Sequence, residues 1–169
     1  MLCFETTLVE LIRPFMEKLN FNGISMMPVL QPGDEIIVKF RPNSSYERGD
    51  ILLVHENNEW FAHRLITIDK VNTLKGDRSA TEEQINNRQI WGEVIGYKRG
   101  NQTVIWGNKG QPFKKLFAWL SAKNGLNLEI GTNNRWRRWI CLILMLALHR
   151  CEEIWLKIVN QKRSASSSS

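Results

Sequence analysis

The sequence predicts a mainly β protein: a compact, mostly antiparallel β domain preceded by an amphipathic helix and followed by basic helices. Three observations carry this. Short β-branched and aromatic runs alternate with turn chemistry through the middle of the chain, apolar residues recur at helical spacing towards both ends, and charge is divided unevenly along the sequence.

Within residues 1–20, Phe4, Leu8, Leu11, Ile12, Phe15 and Leu19 fall at helical spacing with acids between them. This predicts an amphipathic helix over 4–19, bent or interrupted at Pro14. From 21 to 107 the pattern changes. Runs at 35–40, 51–55, 60–68, 90–97 and 103–106 read as strands, separated by Pro32-Gly33-Asp34, Arg48-Gly49-Asp50, Glu56-Asn57-Asn58 and Arg99-Gly100-Asn101.

Beyond Gly110, Phe113, Leu116, Phe117 and Leu120 form an i, i+3, i+4, i+7 stripe beside Lys114 and Lys115, and Asn124-Gly125 supplies a stop. A second helix is expected over 134–160. These two make 108–160 a basic helical extension, and the serine-rich residues 161–169 read as a disordered tail.

A chain of 169 residues with 43% hydrophobic and 24% charged residues can bury a real core, so one catalytic-size domain is expected. Residues 1–96 hold 10 Lys/Arg against 14 Asp/Glu, whereas 97–169 hold 13 against 3. Such a basic end meets an anionic partner or is a solvated face. Cys3, Cys141 and Cys151 are odd in number and lack metal-ligand spacing, which argues against a disulfide framework or a zinc site.

The first residues lack a basic segment followed by an apolar one, so no cleavable signal peptide is expected. The apolar run at 140–148 is shorter than the roughly 20 residues that cross a bilayer. It is flanked by Arg135, Arg137 and Arg138 on one side and His149 and Arg150 on the other, with Trp136, Trp139 and Trp155 near its ends. Residues 113–160 therefore either meet a membrane surface or pack on the β domain or a partner protein. No nucleic acid is expected, because no recognised motif accompanies the positive charge.

The residues suited to chemistry occur in ordered short boxes. Gly23-Ile24-Ser25-Met26-Met27-Pro28-Val29-Leu30 is followed by Pro32-Gly33-Asp34, Gly49-Asp50-Ile51, His63-Arg64, Lys75-Gly76-Asp77 and Ile90-Trp91-Gly92-Glu93-Val94-Ile95-Gly96. In this order and at about this spacing, across 21–97, they resemble signal peptidase I and its relatives. The histidine in Trp60-Phe61-Ala62-His63-Arg64 resembles the archaeal, endoplasmic-reticulum and sporulation-type branch, where it replaces a lysine base.

The resemblance implies a signal-peptidase/LexA-like catalytic β domain with Ser25 as nucleophile and His63 as general base. It further implies the Ser25 backbone N–H as an oxyanion donor, an extended peptide laid beside strands, and no metal or organic cofactor. An imidazole base suits neutral pH, since its unperturbed pKa is about 6.5 and a lysine must be desolvated to lose its proton. Lys75, 50 residues after Ser25, fits a base role poorly.

A third group should hold the imidazole, and two positions qualify. Asp77 matches the family's acidic box and either orients the base or secures a turn. Where the histidine branch continues with two aspartates this chain has Glu82 and Glu83, and Glu83 aligns with the orienting carboxylate with one extra methylene. Gly23 stands where many relatives carry a hydroxyl, which implies an oxyanion hole dominated by the backbone. Arg64, Gly33, Asp34, Gly49 and Asp50 are expected to be scaffold, and His55 and His149 match no family position.

The expected function is a serine endopeptidase cleaving leader or signal segments through an acyl-enzyme. Two other classes are open: a catalytically inactive, membrane-associated peptide-binding module, and a LexA-like self-cleaving regulator. The second needs a lysine base and a DNA-binding module, and 24 residues before Ser25 are too few for one. In place of the family's N-terminal membrane anchor stands the predicted helix 4–19. The expected location is peripheral on a membrane, on its cytoplasmic side, or the cytoplasm.

Overall fold

The computed structural model describes residues 16–39, 46–56, 58–69, 71–106, 111, 113–125 and 135–166. Its strands are β1 (Met16–Phe21), β2 (Asp34–Lys39), β3 (Ile51–Glu56), β4 (Glu59–Thr67), β5 (Asn72–Lys75), β6 (Glu82–Ile85), β7 (Ile90–Arg99) and β8 (Gln102–Ile105). A 3-10 turn at Asn87–Gln89 precedes β7, and two helices follow the strands, α1 (Lys114–Gly125) and α2 (Arg135–Ser166).

The strands form one antiparallel sheet in the order β1-β2-β7-β3-β4-β5-β6, with β8 added to β7. The β7 register shifts against β2 between Ile37 and Val38 and against β3 between Leu53 and Val54. Such irregularities bend a strand and increase its twist, and the sheet curls.

Alternation within β3 builds two cores. Ile51 and Leu53 point to one face, where they pack with Phe21, Met26, Val38, Val94 and Tyr97. Leu52 and Val54 point to the other, with Leu65, Leu74 and Ile85. Both faces of this central strand are covered, which is why its sequence is a continuous apolar run. Helices α1 and α2 close the first face with Phe117, Leu120 and Met145, and partly with Leu148 and Leu156.

Two expectations are corrected. Residues 16–19, assigned above to the N-terminal helix, are strand, paired in register from Met16↔Lys39 to Phe21↔Asp34. Phe15 and Leu19 are four apart and fit a helix, but Lys18-Leu19-Asn20-Phe21 also alternates polar and apolar, and pairing with β2 selects that period. The rest of the predicted helix, 4–15, lies outside the described residues. Residues 161–166, read as disordered tail, continue α2, while 167–169 and the predicted helix start at 134 are outside the description. Strands β5 and β6 were not expected.

Tyr97 supplies a stability prediction. It is buried beside Trp106 and His149, no described residue hydrogen-bonds its hydroxyl, and burial holds that hydroxyl's pKa well above the ordinary tyrosine value. An unmet buried hydroxyl costs about 1–3 kcal/mol, so Tyr97→Phe is expected to raise the thermal midpoint by about 2–4 °C for each kcal/mol recovered. The raised folded-state pKa favours the unfolded chain once its tyrosine ionises. Ionisation of this tyrosine therefore leaves the stability of the fold unchanged below about pH 10 and lowers it as pH rises beyond that. Thermal melts of both proteins from neutral to alkaline pH should show the loss in the native chain and less of it in Tyr97→Phe.

Candidate active site

Three stretches distant in sequence meet: the β1–β2 turn, β4 and β6. Phe61, His63 and Leu65 lie on the same face of β4, and His63 stands opposite Leu52 of β3. Strand β6 pairs with β5 so that Leu74 faces Glu83, which places Glu83 on the side that holds buried Ile85 while Glu82 is exposed. Ser25 comes from the turn joining β1 to β2, with Met26, Val29 and Leu30 buried in the first core. Backbone bonds from Met27 N–H to the Ile24 carbonyl (3.3 Å) and Leu30 N–H to the Met26 carbonyl (3.1 Å) tighten this turn.

The result is a hydrogen-bonded chain. The Ser25 hydroxyl lies 3.0 Å from His63 Nε2, and His63 Nδ1 lies 2.7 Å from Glu83 Oε2. An ionised carboxylate only accepts, so Nδ1 carries the proton and Nε2 offers its lone pair to the Ser25 O–H. His63 is buried, whereas about a third of the Glu83 side chain is exposed (35%). The extra methylene of glutamate thus spans the distance from an edge strand.

Asp77, the other candidate to orient the base, is engaged elsewhere. It is fully buried and accepts both arms of the Arg64 guanidinium, Nε at 2.8 Å and Nη2 at 2.7 Å. Arg64 also donates to the Gly49 carbonyl and to Gln111 Oε1, each at 2.8 Å. Gln111 in turn donates to Glu152 of α2 at 2.9 Å. Arg64 and Asp77 are therefore scaffold, joining β4, the β5–β6 connection and α2. The Lys75 ammonium is turned to the Ser121 carbonyl at 2.6 Å, so the lysine of the same box is held by α1.

Gly76 emerges from the structure as a site residue that sequence reasoning assigned no role. A Cβ there would stand 2.8 Å from Ser25 Cβ, 2.9 Å from the Ser25 carbonyl oxygen and 3.1 Å from His63 Nε2. Next to it, the Arg78 N–H donates to the Ser25 carbonyl at 2.7 Å. The Gly76–Arg78 backbone thus presses on the serine–histidine pair and fixes it. Its only sequence signal was a glycine between two charged residues. Gly23 has a local reason too: a side chain there would meet the Phe21 ring at 2.9 Å.

Ser25 opens onto a cleft of about 500 Å³. One wall is Leu19–Phe21 of β1, the other is Trp60–Ala62 of β4 with Trp91, and Ile36 and Leu53 lie between. Trp60 and Trp91 are half exposed and meet edge to face at 4.9 Å, with His55 stacked on Trp60 at 4.5 Å. This aromatic rim also escaped the sequence reading, since two tryptophans 31 residues apart gave no sign of touching. Chemically, the arrangement pairs a polarised hydroxyl with an apolar trench open to an extended chain.

No model of a known protein family matches this sequence, and no curated protein matches it at a significant level.

Proposed function

We propose that this protein is a serine endopeptidase of the signal peptidase type, cleaving leader or signal segments of peptide and protein substrates. The observation that carries the reading is the Ser25–His63–Glu83 hydrogen-bonded chain at the side of an apolar cleft. The motif order quoted above supports the same reading independently.

In this mechanism Ser25 Oγ attacks the scissile carbonyl while His63 Nε2 takes its proton, and Glu83 stabilises the imidazolium across the 2.7 Å contact. The imidazolium then gives the proton to the departing amine. A water molecule, deprotonated by His63, attacks the acyl-enzyme and frees Ser25. The developing oxyanion takes the Ser25 backbone N–H; the glycine at 23 adds no hydroxyl to it. The substrate lies extended between β1 and β4. Among the described strands β1 ends the sheet order, so its outer edge can pair with a peptide backbone while the trench takes side chains.

The test is cleavage of a panel of leader peptides by the full chain and by Ser25→Ala, read by mass spectrometry with vesicles present. Cleavage by the native chain alone supports the reading. Peptide binding without cleavage by either protein replaces it with a silent binding module, and cleavage by both moves the nucleophile elsewhere.

The same reading sets an expectation for Gly76→Ala. The Ser25 carbonyl is held by Arg78, so the clash must be relieved by moving Ser25 Cβ or the His63 ring. Misplacing reacting groups by about 1 Å costs roughly 10²-fold in rate, and overpacking costs about 1–3 kcal/mol in stability. Steady-state kinetics beside a thermal melt should show kcat falling by up to about the first amount, beyond what the unfolded fraction explains.

A further inference from the structure

Helix α2 is apolar on two sides, and the described residues pack on one of them. Met145, His149 and Glu152 are buried against the β domain, with Leu148 and Leu156 partly so. On the opposite side Trp139, Ile140, Ile143, Leu144, Ile154 and Ile158 are exposed, Trp139 to 66% and both Ile143 and Ile154 to 59%. With the exposed Ala147 and Cys151 filling the gap, positions 140, 143, 147, 151, 154 and 158 recur every three or four residues, and from Trp139 to Ile158 the stripe is about 29 Å long at 1.5 Å per residue. The sequence left a choice between packing on the β domain and facing a membrane. The structure shows the packed face and leaves the other face uncovered by any described residue.

Charge identifies what covers it. The first turn of α2 contains Arg135, Arg137 and Arg138, and its last turns contain Lys157, Lys162 and Arg163. The acids of the helix are engaged: Glu152 accepts from Gln111 at 2.9 Å, and Glu153 pairs with Arg150 at 3.2 Å. A second copy packed on the stripe would set basic end against basic end, whether the helices ran parallel or antiparallel. An anionic surface complements both ends at once. No described helix is long and apolar enough to cross a membrane, so the stripe suits a helix lying flat. Trp139 and Trp155 sit towards its ends, and amphipathic indole rings favour the headgroup level. Arg150, exposed to 73% within this face, is long enough to reach headgroups beside its neighbours.

We infer that the outward face of α2 docks in the plane of an anionic lipid bilayer, its apolar stripe in the acyl boundary and its basic ends on the headgroups. This stands apart from the peptidase reading and is tested without any substrate. The full chain is sedimented with vesicles of phosphatidylcholine alone and of phosphatidylcholine mixed equally with phosphatidylglycerol. Binding to the mixed vesicles is expected to be tighter by about tenfold or more and to weaken as salt shortens the screening length.

The variant Ile143→Asp/Ile154→Asp alters two exposed side chains, leaves the packed face intact, and is expected to lose about tenfold or more of that binding. Equal binding to both vesicle types, or binding undiminished in the variant, overturns the inference. A chain that ignores both vesicle types overturns it as well; self-association abolished by the same variant would then assign the face to a second copy, and a monomer would assign it to another protein.

Discussion

Ser25→Ala, His63→Ala and the double variant are expected to fall to one common residual rate of peptide cleavage, each about 10⁴–10⁶-fold below the native chain. In the proposed mechanism the two groups act as a unit. Without Nε2 the Ser25 hydroxyl has no acceptor 3.0 Å away to take its proton, and without the hydroxyl the imidazole has nothing to activate. Losses from such a pair do not add, so the double variant is the sharper test than either single one.

Glu83 should behave differently. In the proposed mechanism its carboxylate sets the tautomer and stabilises the imidazolium while it stays partly solvated, so Glu83→Gln is expected to cost roughly 10²-fold, the low end of general-base effects. Glu83→Asp should cost about as much, because pairing of β6 with β5 at Leu74↔Glu83 prevents the backbone from following the shorter side chain. Rates measured on folded protein, checked by thermal melting, decide this. An active Ser25→Ala would remove the nucleophile assignment, and an unchanged Glu83→Gln would reduce Glu83 to a surface partner.

How far the sequence disclosed this arrangement depends on the range of the signal. The strands at 51–55, 60–68 and 90–97 could be read because their buried faces impose apolar runs, and their ends moved by only one or two residues in β3, β4 and β7. Strands β5 and β6 could not. Asn72-Thr73-Leu74-Lys75 and Glu82-Glu83-Gln84-Ile85 are four residues each and mostly polar, and only pairing with a neighbour makes them strands. Glu83 depends on this, since an edge strand too polar to predict carries the carboxylate that meets His63. The motif order brought Ser25 and His63 together on paper, but choosing between Asp77 and Glu83 required the location of Arg64. Nothing local in His63-Arg64 says that its second residue takes the acid of Lys75-Gly76-Asp77.

The Arg64–Asp77 pair leads to the largest stability effect expected in this molecule. Both side chains are fully buried, and the guanidinium donates four hydrogen bonds at 2.7–2.8 Å: two to Asp77, one to the Gly49 carbonyl and one to Gln111. Arg64→Met removes all of them and leaves the Asp77 carboxylate in the interior without its cation, a change that costs about 3–5 kcal/mol. At about 2–4 °C per kcal/mol for a chain of this size, the thermal midpoint should fall by about 10 °C. Replacing both partners, Arg64→Met/Asp77→Leu, removes the uncompensated charge and should recover a large part of the loss. The recovery should be incomplete, because Gly49 and Gln111 still lose their donor. Asp77→Asn separates the two roles the sequence left open. A residue that orients the base would, when neutralised, lower the rate and reshape its pH profile at little cost in stability. Asp77, bound to Arg64, should do the reverse, lowering the melting midpoint while the folded protein keeps its pH profile. Melts and pH–rate profiles of the same preparation decide between them, and a stable but inactive Asp77→Asn would return Asp77 to the catalytic group.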